Sequence, residues 1–311
     1  MLQRLKHEKL DRYIIRLKDV LVNDIDIASE VTGAFIKKFA DDTKCYQVVK
    51  TQEDRERFQA MLDNLAKWSN DWQMLFNVDK CHVLHIGKRN PEFQYNWGAG
   101  QLEVTEEEKD VGVMIAKSLK PSLQCARAAK KANQVLGQMS RGITYRDEYT
   151  FTRLCKVYVR PHLQYCSSAW SPYTVADKEL LETESVQCRA VRMITNLQGS
   201  YEEKLRVLGL TSLEENRDRG DMIEMYKMMT GKGKVDFRNW FQLATSREGA
   251  GNTRGSTGYL NVMVSPQSNS GVRRNFFSQR CPRQWNSLPD SVKMVKTVDA
   301  FKAAYDDYLK N

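Results

Sequence analysis

The apolar patterning of this chain predicts an α+β fold, and three observations carry that expectation. Two short strand-like runs bracket an aspartate-containing turn near residue 40, an amphipathic helical stripe follows at once, and from Pro121 onward the apolar spacing is mainly helical. With 311 residues, 41% of them hydrophobic and 28% charged, the composition is globular and long enough for two or three domains.

Taken in order, residues 1–19, running on to about Leu21, read as an N-terminal amphipathic helix, with Leu10, Ile14, Leu17 and Leu21 near one face. Ala34–Phe39 and Cys45–Val49 read as strands, and Ala40-Asp41-Asp42-Thr43 between them has turn chemistry. Thr51 is positioned to cap the next helix, with Glu53 and Asp54 in its first turn and Phe58, Met61, Leu62, Leu65, Trp68 and Trp72 as its apolar stripe. Val83–Ile86, Gln101–Val104 and Lys109–Ile115 suggest short strands of a small antiparallel sheet. Helices are expected over Pro121–Gly142, Tyr149–Ser168, Asp177–Thr195 and Leu213–Thr230. Ser246–Ser270, rich in Gly, Ser, Thr and Asn, is expected to be a loop, and a final helix follows the arginine- and aromatic-rich segment after Arg273. These elements divide into 1–19, 20–116, 117–198 and 199–311.

The net charge of +9 and the pI near 9.1 tilt the chain toward polyanionic partners. From Ala116 to Gly142 the sequence holds Lys117, Lys120, Arg127, Lys130, Lys131 and Arg141 with no Asp or Glu, so these six are candidates to track phosphates. Arg273, Arg274, Phe276, Phe277, Arg280, Arg283 and Trp285 interleave cations with aromatics. They either stack on single-stranded bases or form a buried aromatic face with arginines at its rim. Tyr165, Trp170 and Tyr173 read as core. Cys81, His82 and His85 read as structural, since strand positions three apart face opposite ways and no second ligand cluster accompanies them. Seven scattered cysteines without a C-x-x-C pair indicate reduced, buried thiols and argue against a disulfide framework. No apolar run reaches the roughly 18 residues of a membrane helix, and the basic N-terminus leads into no apolar signal region. A nuclear or cytoplasmic location with no membrane partner is the expectation.

The turn carries a sharper signal. Asp-Asp in a turn is ordinary on its own, but Phe39-Ala40-Asp41-Asp42-Thr43-Lys44 resembles the F/Y-A-D-D-T-K hairpin of non-LTR retrotransposon reverse transcriptases of the jockey and chicken-repeat type. An ordered series of weaker likenesses flanks it. Val22-Asn23-Asp24-Ile25 is similar to that family's I-N-D-L, and Asn77-Val78-Asp79-Lys80-Cys81 to its N-x-x-K-T/C segment. Asp110-Val111-Gly112-Val113 is similar to its Y-L-G-V strand, and Lys130-Lys131-Ala132-Asn133 and Tyr158–Cys166 to its thumb. Arg219–Lys227 and Trp285–Pro289 are similar to its C-terminal region. The likeness runs from about residue 20 to the end.

The resemblance implies a partial polymerase palm over 20–116, a helical thumb over 117–198 and a basic C-terminal region. It implies RNA-directed DNA polymerase chemistry, a nucleotidyl transfer, with an RNA template, a DNA primer, deoxynucleotides and Mg2+ or Mn2+. Asp41 matches the metal-binding aspartate, Asp42 the acid beside it, and Lys80 the lysine near the incoming phosphates. The family's other metal-binding aspartate, on an upstream strand of the F-D-x-V kind, has no counterpart in residues 1–38, and neither has the G-x-x-Q-G-x-x-x-S-P segment. Asp24 and Asp26 match a segment leading into the hairpin rather than a metal-bearing strand. The expectation is therefore a truncated copy, inactive or very weak by itself, with an unpaired sheet edge that invites self-association.

Overall fold

The computed structural model describes residues 12–17 (backbone alone), 34–39, 42–87, 90–182, 186–195, 197–233, 235–244, 261–264 and 268–310. They fall into two compact units that divide between Lys120 and Pro121. The regions 117–198 and 199–311 distinguished in the sequence thus lie mostly within one unit.

The first unit corrects the N-terminal expectation. The described part of the anticipated helix, Arg12–Leu17, is a strand, β1. Its Arg-Tyr-Ile-Ile-Arg-Leu run has aromatic and β-branched residues at its centre, and partner strands on both sides override the weaker helical spacing. β2 (Phe35–Phe39) and β3 (Asp42–Val48) form the expected hairpin, closing with Phe39 opposite Asp42. α1 (Gln52–Asp71) begins with a capping box: the Thr51 hydroxyl accepts from the Asp54 N–H at 3.2 Å, and the Asp54 carboxylate accepts from the Thr51 N–H at 3.1 Å. β4 (His82–Ile86), the small β5 (Asn96–Trp97) and β6 (Gly100–Gln101) pair, and β7 (Glu103–Thr105) follow. A separate hairpin, β8 (Glu107–Asp110) and β9 (Val113–Ala116), ends the unit.

The main sheet has the order β2-β3-β1-β4-β7. β1 is antiparallel to both β3 and β4, so β3 and β4 run the same way and α1 is a crossover between them, with β1 in the gap. β7 joins β4 in parallel, where an antiparallel sheet was expected, because the β5–β6 pair turns the chain back before it reaches the edge. β3 carries β2 on one side and β1 on the other, so the hairpin keeps one open edge at β2, and β7 is the other edge of the sheet. On one face Phe58, Met61, Leu62 and Leu65 of α1 pack against Ile36, Cys45, Val49, Val83, Tyr95 and Leu102. Each fully buried side chain of this size contributes about 1.5–3 kcal/mol. Trp72 leaves the predicted stripe; it caps the C-terminus of α1 and is 64% exposed. The opposite face of the sheet presents Lys44 and Tyr46 by strand alternation, and β8–β9 lies there, joined through the Lys44–Asp110 ion pair and a 3.3 Å approach of His82 Nδ1 to the Glu108 carboxylate.

The second unit is helical: α2 (Ser122–Gly142), α3 (Glu148–Leu154), a π turn (Cys155–Val159), α4 (Arg160–Gln164), α5 (Ser167–Trp170), α6 (Val175–Glu182), α7 (Gln187–Arg192), α8 (Tyr201–Val207) and α9 (Leu213–Met229). After the described bridge of Leu243 with Val262 come α10 (Gly271–Arg274), α11 (Phe277–Ser287), α12 (Asp290–Lys293) and α13 (Val298–Tyr308). The helix expected over Tyr149–Ser168 is interrupted. Pro161 offers no N–H to the Val157 carbonyl, the π turn widens just ahead of it, and Cys166 at φ 54° breaks the run before α5. Of the loop expected over Ser246–Ser270, residues 246–260 and 265–267 lie outside the described residues.

The core of this unit joins α9 to α11 and α13 through Met222, Tyr226, Trp285, Phe301 and Tyr305, with Tyr226 and Phe301 stacked at 4.4 Å. Buried Asp221 accepts two hydrogen bonds from Arg280, at 2.7 and 3.0 Å, and Arg280 also donates to the Ser168 carbonyl. Asn286 bonds both the N–H and the carbonyl of Val262, fastening the bridge strand. No described helix is long and apolar enough to cross a membrane.

Candidate functional site

The turn between β2 and β3 sets one end of the sheet. Asp41, Asp24 and Asp26 lie outside the described residues. Asp42 opens β3 and is half-buried. Arg16 of β1 sits opposite Lys44 on one side and His82 on the other, so β3 and β4 start at the same end of the sheet. Asp42 is two residues ahead of Lys44, and Lys80, exposed in the 3-10 turn Val78–Lys80, is two residues ahead of His82. The fold therefore brings Asp42 and Lys80 to one sheet end, with the two strand starts roughly 10 Å apart across β1.

The strand between them supplies no acid to this end. Two-metal phosphoryl transfer takes its oxygen ligands from more than one element, and magnesium and manganese are hard cations that want several. β1 reads Arg12-Tyr13-Ile14-Ile15-Arg16-Leu17 and contains no carboxylate. Among the described residues no three His, Cys, Asp or Glu side chains converge as a metal cage requires.

Sequence reasoning missed the most constrained polar contact of this unit. Lys44, last residue of the hairpin motif, is buried and ion-paired with Asp110, first residue of the Asp110-Val111-Gly112-Val113 segment, the two side chains being 6% and 9% exposed. Two segments remote in sequence are thereby pinned together. Removing one partner of such a pair leaves an uncompensated buried charge, which costs about 3–5 kcal/mol. A lysine in the middle of a strand flanked by core residues was the available signal. Its acidic partner was not readable from spacing.

The six basic candidates divide. Lys117 and Lys120 belong to the first unit and the other four to the second. Lys117 is held by Glu92 at 2.5 Å and by Glu106 at 3.2 Å, hydrogen bonds that raise its pKa. It is thus already matched with acid. Arg127, Lys130, Lys131 and Arg141 are exposed on α2, whose other face buries Cys125, Ala128, Ala129, Ala132 and Leu136. At 1.5 Å rise per residue they span about 21 Å of helix. The guanidinium of Arg141 lies back along the helix, 3.7 Å from where a Cβ on Gly137 would stand. Lys130, Lys131 and Arg141 have no carboxylate partner among the described residues. Exposed Arg189 of α7, a residue that sequence reasoning missed, joins this surface by donating to Asn133 of α2 at 2.9 Å.

The remaining candidates are architectural. Phe276, Phe277 and Trp285 are buried and Arg280 is bound to Asp221, so the arginine-aromatic tail is a core face with arginines at its rim. Cys81 is buried with its thiol on the Asn77 carbonyl, and His82 lies between Glu103 and Glu108. Six of the seven cysteines are buried, and burial pushes the Cys125 and Cys155 thiols up to about 12, which keeps them inert. Trp170 is core, but Tyr165 is 53% exposed. Comparison with models of known protein families, with curated proteins and with solved structures finds no match to this chain.

Proposed function

We propose that this chain derives from a non-LTR retrotransposon reverse transcriptase, an RNA-directed DNA polymerase, and that what it retains is nucleic-acid binding without synthesis. The observation that carries this reading is the exposed basic stripe on α2, with no acid anywhere on that helix. Such a stripe binds a phosphate backbone by releasing counterions, independently of base sequence. The loss of synthesis is supported by β1, which lies between β3, opened by Asp42, and β4, which follows Lys80, and brings no carboxylate. In this reading the RNA template and DNA primer are the partners, and deoxynucleotides and Mg2+ or Mn2+ are inherited requirements that the described residues do not complete.

Two measurements test the proposal. Binding of a labelled RNA–DNA hybrid is expected to weaken steeply as salt rises and to survive Asp41→Ala. Salt-independent binding would sink it. Primer extension on RNA, with magnesium and then manganese, is expected to be absent. The catalytic reading keeps one observation in its favour, the shared sheet end of Asp42 and Lys80, and extension abolished by Asp41→Ala would establish it instead.

A further inference from the structure

We propose that the outward face of the helical run from Glu148 to Tyr165 is a stacking surface for single-stranded nucleic acid. Tyr149, Arg153, Val157, Pro161 and Tyr165, spaced by four, are all exposed, while Phe151, Cys155, Val159 and Leu163 face the core. Stepping by four along an ideal α-helix drifts about 40° each time. The π turn at Cys155–Val159 offsets that drift, so the first and last tyrosines stay on one side. Tyr149 is 67% exposed and Tyr158, beside Val157, 55%. These are large rings left in water, on a run whose inward positions are buried.

Charge selects the occupant. No Asp or Glu occurs from Tyr149 to Ala176. Arg153 lies over the Tyr149 ring at 4.9 Å, and Lys156 is exposed next to Val157. Aromatic faces interleaved with cations, with Glu148 as the one acid of the run, fit a ligand that is anionic and offers flat π faces, which describes unpaired bases on a phosphate backbone. A duplex keeps its base faces stacked and hidden, so a single strand is the form that fits. This proposal rests on the nucleic-acid reading of α2 and adds a base-contacting surface to it.

The test uses the full chain with a labelled oligothymidylate and an abasic strand of equal length. The double variant Tyr149→Ala/Tyr158→Ala is expected to lose about tenfold or more in affinity for the base-bearing strand per stacked base, with the abasic strand unaffected. The corresponding Tyr→Phe double variant is expected to bind as the parent does. Equal losses on both strands, or no loss on either, overturn the proposal. If the α2 stripe still gives salt-dependent binding in that case, the reading above survives alone; if the parent binds neither strand, both fall. Sedimentation closes the remaining route: a parent dimer that the alanine variant converts to monomer would make this face a contact between copies of the chain, and would also overturn it.

Discussion

Lys44 and Lys130 show two uses of the same side chain. In the first unit Lys44 is buried, neutralised by Asp110, and ties a sheet face to the β8–β9 hairpin. In the second unit Lys130 stands in water on α2, among other cations and without a carboxylate partner among the described residues. Lys117, also of the first unit, is matched as well, lying between Glu92 and Glu106. A positive charge that the fold has already answered contributes to architecture. One left unanswered remains available to a polyanion. The excess of +9 is therefore a poor guide to function until it is apportioned by partner.

That contrast can be broken most forcefully at Lys44. Lys44→Met should destabilise the first unit by about 3–5 kcal/mol in urea unfolding, and adding Asp110→Leu should restore much of the loss, because the cost lies in the orphaned charge. If the single variant is as stable as the parent, Lys44 is not structural and the contrast collapses. On the other side, Lys130→Glu/Lys131→Glu should leave stability within about 0.5 kcal/mol and lower nucleic-acid affinity. It should also flatten the salt dependence by about one unit of slope per lost phosphate contact. An unchanged slope in a salt titration would remove α2 from the interface.

Smaller effects sharpen the picture. Thr51→Ala should cost about 1 kcal/mol through loss of the α1 cap, read by thermal unfolding; no change would mean that the capping box adds nothing. Asp306 gives a pH signature. The Arg219 guanidinium holds its carboxyl below the usual range by a two-pronged hydrogen bond. A depressed carboxyl stabilises the fold above its unfolded value near 3.9, and loses that contribution as pH falls through the lower folded value. Asp306→Asn should therefore be less stable than the parent by about 0.5 kcal/mol at neutral pH, the range of a solvent-exposed pair. The gap should close in strong acid, and a gap independent of pH would disprove the assignment.

Much of the local structure was legible. The hairpin, the Thr51 cap and the long helix after it follow from turn residues, a capping box and apolar spacing at short range. β1 was not legible. Leu10, Ile14, Leu17 and Leu21 suit a helix, and only the neighbouring strands make Tyr13-Ile14-Ile15 a better strand. The parallel pairing of β7 was hidden for the same reason, since it depends on where an intervening turn sends the chain. At the candidate site, the shared position of Asp42 and Lys80 needed strand order, and Lys44–Asp110 needed the placement of a second hairpin. The segments Arg219–Lys227 and Trp285–Pro289, which carry part of the resemblance, owe their residues to packing: Asp221 anchors Arg280, Trp285 is core, and Asn286 fastens Val262.

The central position of β1 also has a kinetic consequence. It is synthesised before its partner strands, and Arg12 finds its partners only at Val48 and Ile86. The β2–β3 hairpin and α1 can form from neighbouring residues within microseconds, whereas the middle of the sheet must wait until both distant flanks exist. Folding of the first unit should therefore end with the insertion of β1 between strands made after it. Until then β3 and β4 have a vacant lane between them that any passing extended segment could occupy.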